Sequence, residues 1–322
     1  MKLRVAVLYG GRSGEHEISI RSAEAIMAAM DPEKYEIVRL FITPQGKWEP
    51  RAIQPEPGAN PGIDVVFPAL HGTFGEDGTM QGLLELADLP YVGAGVLASS
   101  VAMDKEITKR LCRQSGLPMV DYVVLWRGDL DFESPFGYPV FVKPANLGSS
   151  VGISKARDAA QLASALQAAA QFDRKIIVER AILGREFECS VIGNDSPRAS
   201  LPCEILPSRE FYDYEDKYLL NQARTVLPAD LPAARLEEIR RLAVACYVAV
   251  SCEGMARVDF LMEGSSGPLY INEINTIPGF TSISMYPKMW EATGIGYSEL
   301  IDRLIQLALE RQAAKNATRY AR

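Results

Sequence analysis

The chain has 322 residues, 48% hydrophobic and 23% charged, with a mean hydropathy of −0.02, a balance suited to a globular protein of two or three packed units. Its 34 Lys and Arg against 41 Asp and Glu leave a formal charge of −7 and an isoelectric point near 5.2, which argues against a nucleic-acid partner and its demand for a basic face. No apolar run reaches the roughly 18 residues needed to span a bilayer, so no membrane partner is expected and small molecules are.

The amino-terminal string MKLRVAVLYGG lacks a long apolar core and a small-residue cleavage site, and reads as the first strand (3–9) of a mature cytoplasmic protein. A glycine loop, GGRSGEHE, follows. Apolar residues at helical spacing then predict a helix over 18–30, stopped by Asp31-Pro32. Strands are predicted over 35–42 and 65–69 and a helix over 79–87, an open parallel-sheet α/β unit ending at residue 94. A helix over 104–115, strands over 120–125, 140–143 and 176–179, and a helix over 158–172 make a second unit, 95–179. The third, 180–322, has strands over 187–192 and 199–206, a polar Tyr/Asp/Lys loop, a helix over 233–250, a hairpin, and a helix over 297–315. Residues 316–322 are expected to fray. Five cysteines (Cys112, Cys189, Cys203, Cys246, Cys252) without a C-x-x-C pair read as small buried hydrophobes of a reducing compartment. With only His16 and His71, any metal falls to oxygen ligands.

Three segments carry chemistry. In the hairpin GMARVDFLMEGSSGPLYINEIN, a turn near Ser265 and Ser266 sets Asp259 opposite Asn272 or Glu273. Side chains alternate along strands, so Arg257, Asp259, Glu273 and Asn275 share one face. Carboxylates packed this closely repel unless neutralised, and their hard oxygens suit Mg²⁺; a solvated hairpin face is the alternative. In PVFVKPANLGSSVGISKA a strand delivers Lys143 into a Gly/Ser loop whose backbone N–H groups can approach phosphate, or which is an ordinary turn. It is not a P-loop, because G-x-x-x-x-G-K-[ST] is absent. In GGRSGEHE, Glu15 either complements a helix dipole or pairs with a substrate ammonium. HGTFGEDGT, around His71, is a similar polar loop after a strand.

Taken in order, the strings GGRSGEHEIS, LHGTFGEDGT, YVGAG, MDK, KPANLGSSVG, FYDYEDKY, GMARVDF and NEINTIPGFTSISM resemble the D-alanine–D-alanine ligase family of the ATP-grasp superfamily, from Gly10 to Met285. The resemblance implies three α/β domains with ATP between two antiparallel sheets. It implies that Lys105, Lys143 and Ser150 meet the ATP phosphates and that Lys217 faces the transferred one. Glu179, Arg180 and Ile182 fall where adenine is bonded and Glu186 where ribose is held; the family more often has Lys where Arg180 stands. Asp259, Glu273 and Asn275 match the ligands of two Mg²⁺ ions, for which Mn²⁺ can substitute. Glu15, Ser149, Tyr218 and His71 match the first D-alanine site. Arg257 stands at the oxyanion, and Ser284 and Gly279 at the carboxylate of the second D-alanine.

The implied reaction makes a D-alanyl phosphate from ATP, which a second D-alanine attacks through a tetrahedral intermediate, as in peptidoglycan precursor synthesis. The YDYEDKY loop is the expected lid, because acyl phosphates hydrolyse. A cytoplasmic homodimer is the family's expectation. The rival readings are a D-lactate- or D-serine-adding ligase, a non-catalytic nucleotide module, and a dehydrogenase. Tyr218 argues against D-lactate, the metal set against the non-catalytic module, and the missing dinucleotide fingerprint against the dehydrogenase.

Overall fold

The run Leu3–Gly10 forms β1, with Val5 to Leu8 wholly buried because both faces are covered. Val5 and Val7 enter one core with helix α1 (His16–Ala29), whereas Ala6 and Leu8 enter another with helix α2 (Thr79–Leu86). β1 pairs in parallel with β2 (Tyr35–Ile42) and β4 (Val65–Pro68). A short antiparallel β3 (Trp48–Glu49) closes the edge of β2. This is the expected open sheet with one strand that the sequence pattern did not reveal. The computed structural model describes residues 2–148, 151–206, 224–281 and 283–319.

Two helices lie between this sheet and the next. α3 (Val96–Met103) was not predicted; Asp104 ends it and, through its side chain, caps α4 (Lys105–Gln114) by accepting from the Glu106 and Ile107 N–H groups. Both helices pack on the core of the C-terminal sheet, to which Ala98, Val101 and Cys112 contribute. The buried stripe of α4 is Lys105, Thr108, Lys109 and Cys112, an amphipathic face whose inner side carries two lysines.

The central sheet is antiparallel, in the order β5 (Tyr122–Trp126), β8 (Lys175–Arg180), β6 (Val140–Pro144), β7 (Ser154–Ala156). Helix α5 (Ala159–Phe172), capped by Asp158, covers one face. Three residues, 181–183, lead from β8 into β9 (Gly184–Ile192) of the second antiparallel sheet. Its order is β12 (Arg224–Val226), β11 (Cys203–Leu206), β9, β13 (Met255–Glu263), β14 (Leu269–Asn275), with β10 (Arg198–Ala199) beside β9. The single strand expected over 199–206 is thus two, parted at Pro202, which has no N–H for a ladder. Helix α6 (Ala233–Ala249) backs this sheet. An unpredicted α7 (Met285–Ala292) and the long α8 (Tyr297–Asn316) return the chain to the first sheet, where α8 shares a core with β1, β4 and α1. All five cysteines are buried and unbridged, and no helix among the described residues is long and apolar enough to cross a membrane.

Candidate active site

The candidate face is built by strand register. Asp259 on β13 stands opposite Glu188 on β9 and Glu273 on β14, a row of three carboxylates; Arg257 stands opposite Ser190 and Asn275 in the next row. The predicted grouping of Arg257, Asp259, Glu273 and Asn275 on one face therefore holds. A β-bulge between Asp259 and Phe260 leaves Asn272 as an extra residue, with Phe260 paired to Ile271 and Asp259 to Glu273.

Counter-charge comes from two cations. Arg257 donates to both oxygens of Asp259, at 2.7 Å each, and lies 3.3 Å from Glu188. Burial opposes its charge, but Asp259 and Glu188 raise its pKa well above the usual guanidinium value. The Asn275 amide donates to Asp259 at 3.1 Å. From the facing sheet, Lys143 donates to Asn272 Oδ1 at 3.2 Å and to Glu179 at 2.7 Å. Among the described residues no three His, Cys, Asp or Glu side chains are grouped to hold a metal. The candidate set is instead two carboxylates and an amide, hard oxygens that fit Mg²⁺ with water or phosphate completing its shell. For Asn275 to join that set, its amide must present oxygen where it now presents nitrogen.

Behind Lys143 lies a residue that the sequence reading missed. Lys109 is 1% exposed and stands 3.0 Å from Glu179, so that one carboxylate lies between two ammonium groups. Burial alone would raise the Glu179 pKa; Lys109 and Lys143 outweigh it and bring it from 4.5 down to about 2. Burial pulls Lys109 below the usual lysine value despite Glu179, while Glu179 outweighs burial at Lys143 and raises it. The signal for Lys109 was its spacing: residues 105, 108, 109 and 112 lie on one helical stripe.

The Gly/Ser loop is pinned at its base. Asn146 donates twice to Asp173, both at 2.8 Å, and the Lys105 ammonium donates to the Leu147 carbonyl. Lys105 thus holds the loop in addition to any phosphate. Ser149, Ser150, Lys217 and Tyr218 lie outside the described residues, as does the rest of the YDYEDKY segment. Arg180, expected at adenine, extends to Glu263 at 2.7 Å and to the Tyr270 hydroxyl at 3.2 Å. Ile182 is buried within the link, and Glu186 follows on β9.

The loop after β1 places Glu15 at the start of α1. Gly72 and Gly148 both abut its carboxylate: a Cβ added at Gly72 would meet Oε2 at 2.7 Å, and one at Gly148 at 3.7 Å. Three separate loops thus converge on Glu15. His71 is buried nearby, its Nε2 2.9 Å from Ser22 Oγ and its Nδ1 3.2 Å from the Ile277 carbonyl and 3.4 Å from Glu76. Burial lowers the His71 pKa, but Glu76 overcomes this and the net shift is upward. Across from it, Gly279 touches Ser284, where an added Cβ would meet Oγ at 2.8 Å. That hydroxyl accepts from the Thr281 N–H at 2.9 Å, within the loop before α7.

The D-ala D-ala ligase N-terminus family model matches residues 4–60 and 50–94, and the D-ala D-ala ligase C-terminus model residues 111–306. The chain is 67% identical to the D-alanine–D-alanine ligase of Solibacter usitatus over 100% of both chains. It is 49% identical to that of Thermoanaerobacter sp., covering 96% of this chain and 97% of the other. Among solved structures, the D-alanine–D-alanine ligase from Coxiella burnetii superposes with a TM-score of 0.86 at 38% identity, covering 98% and 96% of the two chains. The VanG D-Ala:D-Ser ligase from Enterococcus faecalis does so with a TM-score of 0.87 at 34% identity, covering 96% and 100%.

Proposed function

The chain belongs to the D-alanine–D-alanine ligase family, and from that premise we propose that it joins two D-alanines using one ATP, releasing D-alanyl-D-alanine, ADP and phosphate. The observation that carries this reading is the likeness to a D-alanine–D-alanine ligase along the whole of both chains. ATP lies between the two antiparallel sheets, its adenine against the 181–183 link. The side chains of Glu179 and Arg180 are already engaged, so they offer adenine the backbone around that link, together with Ile182; Glu186 takes the ribose. Lys105, Lys143, Ser150 and Lys217 take the phosphates.

Asp259, Glu273 and Asn275 would hold two Mg²⁺ ions, or Mn²⁺ in their place, which when bound offset charge on the phosphates during in-line transfer. Glu15 holds the ammonium of the first D-alanine, with His71, Ser149 and Tyr218 around it, so that its carboxylate attacks the γ-phosphate. Gly279 and Ser284 receive the carboxylate of the second D-alanine. Its amine attacks the acyl phosphate, and Arg257 donates to the oxyanion, an interaction worth about 3–4 kcal/mol in comparable sites. Both oxygens of Asp259 accept from Arg257, so this pair must open or be shared for Asp259 to hold a cation.

The test is incubation with ATP, Mg²⁺ and D-alanine, with phosphate release and dipeptide both quantified; phosphate without dipeptide overturns the reading. Likeness to a D-Ala:D-Ser ligase favours D-serine as a second reading for the second position, and equimolar competition of D-alanine, D-serine and D-lactate decides it. Cytoplasmic location and a homodimer accompany the proposal on family likeness, and light scattering tests the dimer.

A further inference from the structure

We propose that a cleft of about 570 Å³, bounded by the β9–β10 turn, α6, the end of α7 and α8, binds a small organic phosphate such as a nucleoside monophosphate, and that α7 couples this binding to the second-substrate loop. In a chain of net charge −7, four arginines (Arg198, Arg240, Arg241, Arg303) line the cleft with a single acidic residue, Glu237. Arg240 is fixed by Glu237 at 2.8 Å and by the Ala199 carbonyl at 3.2 Å, which leaves its Nε buried without an acceptor. Trp290, 1% exposed, lines the same cleft, with its indole N–H turned toward the buried Tyr286 hydroxyl. One guanidinium N–H without a protein acceptor, among four arginines and a single carboxylate, leaves the cleft with more donors than acceptors and calls for an acceptor from outside.

Arg198 and Arg241 make no ion pair among the described residues, so their guanidinium groups are available for the paired N–H···O contacts that arginine makes to phosphate. Trp290, Val244 and Ile295 add an apolar wall for a ring. The volume is that of a small-molecule site. None of the lining residues belongs to the catalytic face. Yet α7, about 12 Å long by its eight residues, starts next to Ser284 and ends next to Thr293 and Gly294 in the cleft. The coupling rests on the proposed role of Ser284, whereas the binding does not.

The experiment uses ¹⁵N-labelled full-length protein with a non-hydrolysable ATP analogue, D-alanine and Mg²⁺ filling the catalytic site. The Trp290 indole resonance, distinguished from those of Trp48 and Trp126 by Trp290→Phe, is followed as AMP or pyrophosphate is added. AMP is expected to give a saturable shift, weakened about tenfold or more by Arg198→Glu with Arg241→Glu, two exposed residues whose loss leaves the core intact. Pyrophosphate is expected to bind more weakly, and AMP to change KM for the second D-alanine but not for ATP. No shift, or an equal shift in the variant (an adventitious ion only), overturns the site, and pyrophosphate binding as tightly as AMP overturns the organic class. Binding with unchanged KM overturns the coupling. Absence of dipeptide synthesis with the AMP shift intact would sink the ligase reading and not this one.

Discussion

Glu179 is 2% exposed and keeps its negative charge only because Lys109 and Lys143 flank it. Its folded pKa of about 2 lies below the ordinary 4.5, so its stabilising contribution is complete above pH 4.5 and is lost as pH falls toward 2. Glu179→Gln leaves two buried ammonium groups facing each other. It is expected to cost about 3–5 kcal/mol at pH 7 by urea denaturation and to flatten part of the wild-type decline between pH 4.5 and 2. A decline as steep as wild type would assign the acid sensitivity elsewhere. On the catalytic face, Asp259→Asn and Glu273→Gln each remove one ionic oxygen donor. Since even outer partners of a metal ligand are worth 10–100-fold, each variant should lose Mg²⁺-dependent turnover by about 100-fold or more while circular dichroism stays unchanged. Near-normal turnover in both would mean that the cation lies elsewhere.

The bulge in the β13–β14 ladder decides what alternation alone could not. Counting back from the turn leaves Asn272 and Glu273 as equal candidates to oppose Asp259; the bulge gives that place to Glu273 and releases Asn272 to accept from Lys143. A hydrogen bond from a charged donor contributes about 1.5–3 kcal/mol, so Asn272→Leu should raise KM for ATP about tenfold or more, with D-alanine KM little changed. Elsewhere legibility followed contrast. The edges of β2 and the starts of α6 and α8 were readable because apolar periodicity met Pro or Gly at the boundary. α3 reads VLASSVAM, small or apolar on every side, and offers no period. α7 carries Pro287 in its first turn, which mimics a break although proline is tolerated there. The Gly-rich loops were legible as loops, but not their meeting. Gly72, at φ +74, abuts Glu15 from the loop after a different strand. Gly72→Ala would strain the backbone and displace that carboxylate. KM for the first D-alanine should rise while ATP affinity holds, and an equal loss of both would point to general misfolding.

At the scale of the molecule, the chain ends where it began. α8 lies against the first sheet, and Arg311 donates to the Gly93 and Tyr91 carbonyls at 2.5 and 2.7 Å while covering the Tyr91 ring. Asp302 accepts from Lys34 and from the Tyr35 hydroxyl. These ties join residues more than 200 positions apart, which local periodicity cannot show. Arg311→Ala is expected to lower stability by about 2–4 kcal/mol with turnover at 25 °C retained; loss of turnover at full stability would place Arg311 in the catalytic cycle instead. The Lys109–Glu179–Lys143 group also matters beyond its own neighbourhood. A polyanionic nucleotide approaching a molecule of charge −7 is repelled at long range, and this triad, with one positive charge in excess, makes a local well in that field. Nucleotide capture is therefore a contest between far repulsion and near attraction, and dissolved salt weakens the two unequally: it screens the distant charges, while the buried triad keeps its pull.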